Sequence, residues 1–163
     1  MRGTEVRILR VLAATTLLAT LAGCGSGGPV RRISEPAASI QQLTVRADGR
    51  WDVEVRLDNF SSVPMRFTAT NISVALDNGA AATVQAQPGI VIGPESADVF
   101  TAAVSPSAAG RARIATALAD GRGLNYTLGG TVDAGPEDGK SRSYKIKLSS
   151  ALTPVPGMAG VLR

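Results

Sequence analysis

Few side chains of this chain are suited to chemistry, and the most distinctive is its one cysteine, Cys24. A cysteine sulfur is a nucleophile that can form a disulfide, bind a metal or accept a covalent group. A single cysteine excludes an internal disulfide and a multi-cysteine zinc site. The absence of histidine excludes mechanisms that need a histidine base and metals bound by histidine. An enzyme remains possible through lysine, aspartate, glutamate, serine or tyrosine side chains.

The sequence before Cys24 is typical of an export signal. Three arginines lie within the first ten residues, and the run from Val11 to Ala22 carries no charge. This run is too short to span a bilayer, which needs about 20 apolar residues, but it fits the apolar core of a signal peptide. We therefore predict a signal peptide over residues 1–23.

The end of that signal, Leu21-Ala22-Gly23-Cys24, resembles the bacterial lipobox at all four positions. The resemblance implies cleavage before Cys24 and acyl chains on the cysteine, and two or more such chains hold a protein stably in a membrane. Gly25 stands where an aspartate favours the inner membrane, so the same resemblance implies the outer membrane, facing the periplasm. The alternative is a general secretory signal in which the cysteine occurs by chance.

Composition divides the mature chain into three parts. Residues 24–36 are rich in glycine and predict a flexible tether. Within it, Arg31 and Arg32 are either solvated charges or contacts to anionic lipid headgroups. Residues 37–156 have the patterning of a folded domain, and residues 157–163 form a short C-terminal tail.

The charge balance does not indicate a nucleic-acid partner. The chain contains Lys+Arg 17 and Asp+Glu 13, for a net charge of +4. Three of the basic residues and one acidic residue lie in residues 1–23, which leaves the mature chain at +2. Neither this small excess nor an exported location favours nucleic-acid binding.

Alternation with a period of two dominates residues 37–156 and predicts an all-β fold. The run from Trp51 to Leu57 alternates apolar and charged residues, as in a strand with one buried face. Asp48-Gly49 and Asn78-Gly79 predict hairpin turns. Between these turns the apolar phase shifts by one residue, which predicts a β-bulge near Thr70-Asn71. Seven such strands predict an antiparallel sandwich.

One segment breaks this period and predicts a short helix. Ser105 can cap it, Pro106 suits its first position, residues 108–119 are rich in alanine, and Gly121 follows. Its narrow apolar stripe is predicted to consist of Ile114, Ala117, Leu118 and Gly121.

Three motifs between residues 40 and 155 are arranged as in a known family. They are the strand that runs into Asn59-Phe60-Ser61, the turn at Ile92-Gly93-Pro94, and the repeat Tyr126-x-Leu128-x-Gly130-x-Val132. In this order they resemble the late embryogenesis abundant group-two family, whose unit is also called the water-stress and hypersensitive-response (WHy) domain. The resemblance implies a seven-stranded immunoglobulin or fibronectin-like sandwich with one late helix. It also implies a protective or binding role under stress, with no catalytic residues.

Two groups of acidic residues are candidate sites. Asp52, Glu54 and Asp58 share one face of a strand and could serve acid–base chemistry or bind a cation. Because Arg56 lies among them, the row is more typical of a solvated outer face. The acidic loop at residues 133–139 could hold a calcium ion but lacks the ligand spacing of a known calcium loop. We predict no catalytic residue, no metal site and no cofactor.

Aromatic and basic residues give weaker indications. Trp51, Tyr126 and Tyr144 could stack on a ligand, although packing in the core is the commoner use of such residues. A basic patch lies near the last predicted strand, and it favours a solvated surface over an anion site. It consists of Lys140, Arg142, Lys145 and Lys147.

Two classes of function follow from these features. The first is a non-enzymatic envelope protein, anchored in the membrane through acyl chains on Cys24, that protects, binds or scaffolds envelope proteins or lipid. A variant of it carries a lipid or small ligand between the sheets, which requires an unfilled apolar cavity. The second class is a hydrolase without histidine, built on a Ser-Lys pair or a carboxylate.

Overall fold

The computed structural model describes residues 30–163, of which Arg31–Arg163 form one compact unit. The predicted signal peptide and Cys24 lie outside the described residues. Residues 30–163 form nine strands and one helix, α1 (Ala108–Asp120). The strands are β1 (Ala37–Val45), β2 (Trp51–Asn59), β3 (Met65–Leu76), β4 (Gly79–Ala86), β5 (Ile90–Ile92), β6 (Ser96–Val104), β7 (Leu124–Pro136), β8 (Arg142–Leu152) and β9 (Val161–Leu162).

Two antiparallel sheets pack face to face, which confirms the all-β sandwich. The first sheet has the order β6-β2-β1-β9, and the second has the order β4-β3-β7-β8 with β5 added beside β3. The predicted count of seven strands was wrong, because β5 and β9 raise it to nine. These two strands contain three and two residues, too few to show a period of two. Strand β9 pairs with β1 and lies in the segment assigned to a C-terminal tail.

The core lies between the sheets, where every second residue points inward. Trp51, Val53, Val55 and Leu57 on β2 are all buried, as their alternation predicts. They pack against the inward side chains of β3 and β7 in one apolar cluster. Burial of this kind contributes about 25 cal/mol for each square ångström of apolar surface removed from water, so the core is the main stabilising feature.

The phase change in β3 is a β-bulge, as the sequence predicts. Its register against β7 shifts between Phe67 and Ala69, two residues before the predicted position. Phe67 is buried before the shift, and Thr70 and Ile72 are buried after it. One extra residue reverses the inward face of a strand, and the bulge therefore keeps both halves of β3 directed at the core.

The helix covers one end of the sandwich and packs against β4. Its N-cap is Ser107, whose Oγ accepts a hydrogen bond from the Gly110 nitrogen at 3.0 Å. The predicted cap, Ser105, was therefore wrong by two residues. Gly121 ends the helix in the left-handed conformation with φ 62°. Ile114 and Ala117 are buried as predicted, and Leu118 packs against the core while partly exposed.

Candidate functional site

The two ends of the sandwich differ in what they carry. We call the end where residues 31–36 meet the loops at 60–64, 93–95 and 137–141 the tether end. The opposite end carries α1 and the loops at 46–50, 77–78 and 153–160, and we call it the helix end. Because the segment that continues to Cys24 runs over the tether end, this end is the candidate functional surface.

Arg31 is held at the tether end by a bidentate ion pair with Asp138. Its Nη2 and Nη1 donate to Asp138 Oδ1 and Oδ2 at 2.6 and 3.1 Å. These hydrogen bonds lower the pKa of the Asp138 carboxyl and raise the pKa of the Arg31 guanidinium. Both side chains are largely exposed, so the pair fixes the position of the segment more than it stabilises the fold.

Arg32 joins the same segment to two neighbouring loops. Its Nη2 donates to Glu95 Oε1 at 2.8 Å and to the Phe60 carbonyl oxygen at 3.1 Å. Both backbone groups of Arg32 are hydrogen-bonded to Ser62. The Arg32 nitrogen donates to Ser62 Oγ, and the Ser62 nitrogen donates to the Arg32 carbonyl oxygen. Arg31 and Arg32 are thus exposed side chains that pair with carboxylates of the same domain.

Asn59 organises the tether end from within. Its side chain is 1% exposed, and its Nδ2 donates to the carbonyl oxygens of Val63, Ile92 and Gly93 at 2.8 to 3.0 Å. Its Oδ1 accepts from the Ser61 nitrogen at 2.9 Å. One buried amide therefore joins the end of β2 to the turn after β5, which brings the first two sequence motifs into contact.

Ser61 extends this network to residues 31–34, which we call the docked segment. Its side chain is buried, and its Oγ accepts from the Ser34 nitrogen at 3.0 Å. The sequence motif places Asn59 and Ser61 at a turn, but an organising role for either residue was not predicted. The available signal was a small polar pair directly after an apolar strand, a position where side chains often hydrogen-bond to a turn backbone.

The acidic row on β2 lies on the outer face of the first sheet and is largely paired. Asp52 accepts from Arg46 Nη1 at 3.3 Å, and Asp58 accepts from Arg56 Nη2 at 2.9 Å. Gln42 Nε2 donates to Glu54 at 3.2 Å. Such contacts are typical of a solvated strand face, and they leave little of the row for acid–base chemistry.

The acidic loop between β7 and β8 is likewise occupied by arginines. Glu137 accepts from Arg66 Nη2 at 2.9 Å, and Asp138 binds Arg31 as described above. Within residues 30–163, no group of three or more acidic side chains is placed to hold a metal ion. The loop serves here to receive the docked segment and to close the hairpin.

The aromatic candidates are mostly structural. Trp51 and Tyr126 are buried, and Tyr144 is half-buried on the second sheet. The Tyr126 hydroxyl oxygen accepts a hydrogen bond from the Ile40 nitrogen at 3.2 Å, which joins the two sheets. Stacking on a ligand would need an exposed ring face, and Trp51 and Tyr126 do not offer one.

The basic patch lies on and beside β8, an edge strand of the second sheet. Lys145 and Lys147 point outward from β8, and Lys140 and Arg142 precede them at the tether end. All four are exposed. Lysines on an edge strand hinder pairing with other chains. Protection of this edge is therefore enough to explain Lys145 and Lys147.

A groove of about 770 Å³ crosses the outer face of the second sheet. Gly129 gives it depth because it has no side chain, and Ser73, Thr127 and Lys147 contribute to its walls. The groove lies on the outer surface of the sheet and not between the two sheets. It is therefore distinct from the internal cavity that a lipid carrier of the predicted kind requires.

Two of the solved structures that match this chain have low sequence identity to it. No family model and no curated protein matches the sequence. A crystal structure of a protein from Archaeoglobus fulgidus matches with 12% identity and a TM-score of 0.44, over 76% of this chain and 98% of that one. A solution structure of a protein from Arabidopsis thaliana matches with 8% identity and a TM-score of 0.49, over 78% of this chain and 83% of that one.

Proposed function

We propose that the protein is a bacterial lipoprotein anchored through acyl chains on Cys24, in the outer membrane and facing the periplasm. The observation that carries the proposal is the sequence Leu21-Ala22-Gly23-Cys24 at the end of a basic and then uncharged leader. The docked segment at residues 31–34 supports it, since the chain toward Cys24 leaves the domain from one defined end. No helix within residues 30–163 is long and apolar enough to cross a bilayer.

We further propose that the anchored domain is of the late embryogenesis abundant group-two type and that it protects or scaffolds envelope components under water stress. The motif positions have structural roles that support this assignment. Asn59 contacts the turn at Ile92-Gly93, and Tyr126 and Val132 are buried on β7. Between those two residues, Gly130 has φ 147°, a conformation that favours glycine.

The packing of the core favours this role over the lipid-carrying variant. Trp51, Phe67 and Leu57 are among the large side chains that fill the space between the sheets. Protein cores are packed as densely as organic crystals, so a lipid could enter only if these side chains moved apart. The groove outside the second sheet remains as a surface for a partner.

The hydrolase alternative has less support from the geometry. A lysine that acts as a general base in a Ser-Lys pair is normally desolvated. The three lysines of the chain, Lys140, Lys145 and Lys147, are all exposed. The carboxylates of the acidic row are engaged by arginine or glutamine side chains, and Glu137 and Asp138 of the acidic loop are paired with arginines.

Survival of drying tests the proposed role. A strain that lacks the protein should recover several-fold fewer viable cells after drying, and the wild-type gene should restore recovery. The variant Cys24→Ser should not restore it, because the domain would no longer be held at its membrane. Thr101→Ala, an exposed change on β6, is the matched control and should restore recovery fully.

Three results would contradict this proposal. Equal recovery of the deletion strain and its parent would remove the protective role. Full rescue by Cys24→Ser would show that the role does not need the anchor. Ester or peptide hydrolysis that survives repurification of the protein would favour the hydrolase.

A further inference from the structure

The tether end carries apolar side chains that the fold leaves in solvent. Phe60 is 51% exposed in the loop after β2, and Ile33 is 40% exposed in the docked segment. The two residues lie in segments that run next to each other. Arg32 donates to the Phe60 carbonyl oxygen, and the Ser34 nitrogen donates to Ser61 Oγ. Exposed apolar side chains at the tip of a domain are typical of a surface that contacts a partner or a membrane.

The charges around these two side chains are largely neutralised within the domain. Arg31 pairs with Asp138, Arg32 pairs with Glu95, and Arg66 pairs with Glu137. The other charged side chains at this end are exposed and of mixed sign, and they are Glu35, Lys140 and Arg142. An apolar tip without a dominant charge suits the interfacial layer of a bilayer. In that layer apolar side chains are removed from water, which is favourable, while polar groups stay hydrated.

The chain length to Cys24 limits how far this surface can lie from the lipid. Arg31 lies seven positions after Cys24, so seven backbone steps join the two residues. Fully extended, they span at most about 25 Å, and as a flexible coil about 13–16 Å. Arg31 is fixed to the tether end by Asp138, so this end must stay within that distance of the acyl chains. The helix end is separated from it by the length of β3, whose 12 residues span about 40 Å.

We propose that the tether end, through Phe60 and Ile33, rests in the headgroup layer of the membrane that holds the acyl chains, with the helix end directed away from it. This orientation rests on the proposed lipid anchor. The anchor turns the contact into an intramolecular one, so a small apolar surface is enough to hold the domain upright. The groove on the second sheet and the helix end then face outward, available to partners.

Site-directed labelling tests the orientation in the full-length, processed protein. Once Cys24 carries its thioether, an introduced cysteine is the one free thiol of the chain. Ser141→Cys places a fluorophore at the tether end, and Thr116→Cys places one on the helix; both sites are exposed. The protein is reconstituted in vesicles of phosphatidylethanolamine and phosphatidylglycerol that contain a lipid with a nitroxide on its headgroup. We expect quenching at position 141 to be several-fold stronger than at position 116.

A matched pair of substitutions tests the role of the apolar tip. In the Ser141→Cys background, Phe60→Ser should reduce quenching toward the level seen at position 116. Met158→Ser removes an apolar side chain of similar exposure, 46%, from the helix end and should leave quenching unchanged. Equal quenching at positions 141 and 116 overturns the orientation while the anchor stands, and no effect of Phe60→Ser overturns the role of the apolar tip. A protein that takes up label at Cys24 itself and does not float with vesicles overturns the anchor and the orientation together.

Discussion

Replacing Asn59 with aspartate is expected to destabilise the domain by about 3–5 kcal/mol, the cost of an uncompensated buried charge. The asparagine Nδ2 donates to three carbonyl oxygens, and an aspartate oxygen at that position would repel all three. The side chain is buried, so water cannot solvate the new charge. Denaturant unfolding followed by the fluorescence of the one tryptophan, Trp51, measures the loss, because that ring is buried in the folded domain.

The control for this variant is Asn71→Asp. Asn71 lies on the outer face of β3 and is exposed, so the same chemical change should alter stability by no more than about 0.5 kcal/mol. Similar losses at positions 59 and 71 would show that the network around Asn59 does not organise the tether end.

Replacing Gly130 with alanine is expected to destabilise the domain by about 2–4 kcal/mol, through backbone strain and a steric clash. Its φ of 147° lies where residues with a side chain are rarely found. A Cβ at this position would also collide with the Asn71 carbonyl oxygen on the neighbouring strand. The pairing of β7 with β3 would have to shift to relieve that collision, and unfolding in denaturant would report the loss.

The adjacent glycine provides a close control. A Cβ added at Gly129 meets nothing within 4 Å, so Gly129→Ala should change stability by no more than about 0.5 kcal/mol. If the midpoints of Gly130→Ala and Gly129→Ala coincide, the repeat that begins at Tyr126 does not require glycine at position 130 for a structural reason.

Long periodic segments were predictable from the sequence because side-chain direction follows directly from the strand period. The buried face of β2 and the helix at residues 108–120 are read from local alternation and composition. Strands β5 and β9 are too short for such a pattern, and partners distant in sequence determine their pairing. The helix cap is Ser107 and not the predicted Ser105 for a similar reason. Ser107 is hydrogen-bonded to Ala80 and Ala81 on β4, and the sequence does not show this contact.

The candidate surface was less predictable than the fold. The pair between Arg31 and Asp138 joins residues 107 positions apart, and no local pattern indicates it. The same holds for Asn59, whose bonds to Ile92 and Gly93 form only when the loops of both sheets meet. Local patterning identifies an exposed or buried side chain, whereas contacts between loops depend on the assembled sandwich.

The mass of the N-terminal peptide of protein extracted from membranes decides whether Cys24 is the anchor. We predict a peptide that begins at Cys24 and carries the added mass of a diacylglycerol and an acyl chain. The variant Cys24→Ser should instead retain residues 1–23 and carry no lipid, because the thioether needs the sulfur of Cys24. A membrane-extracted protein whose Cys24 has a free thiol, or a fully processed and membrane-bound Cys24→Ser variant, would contradict the lipid anchor.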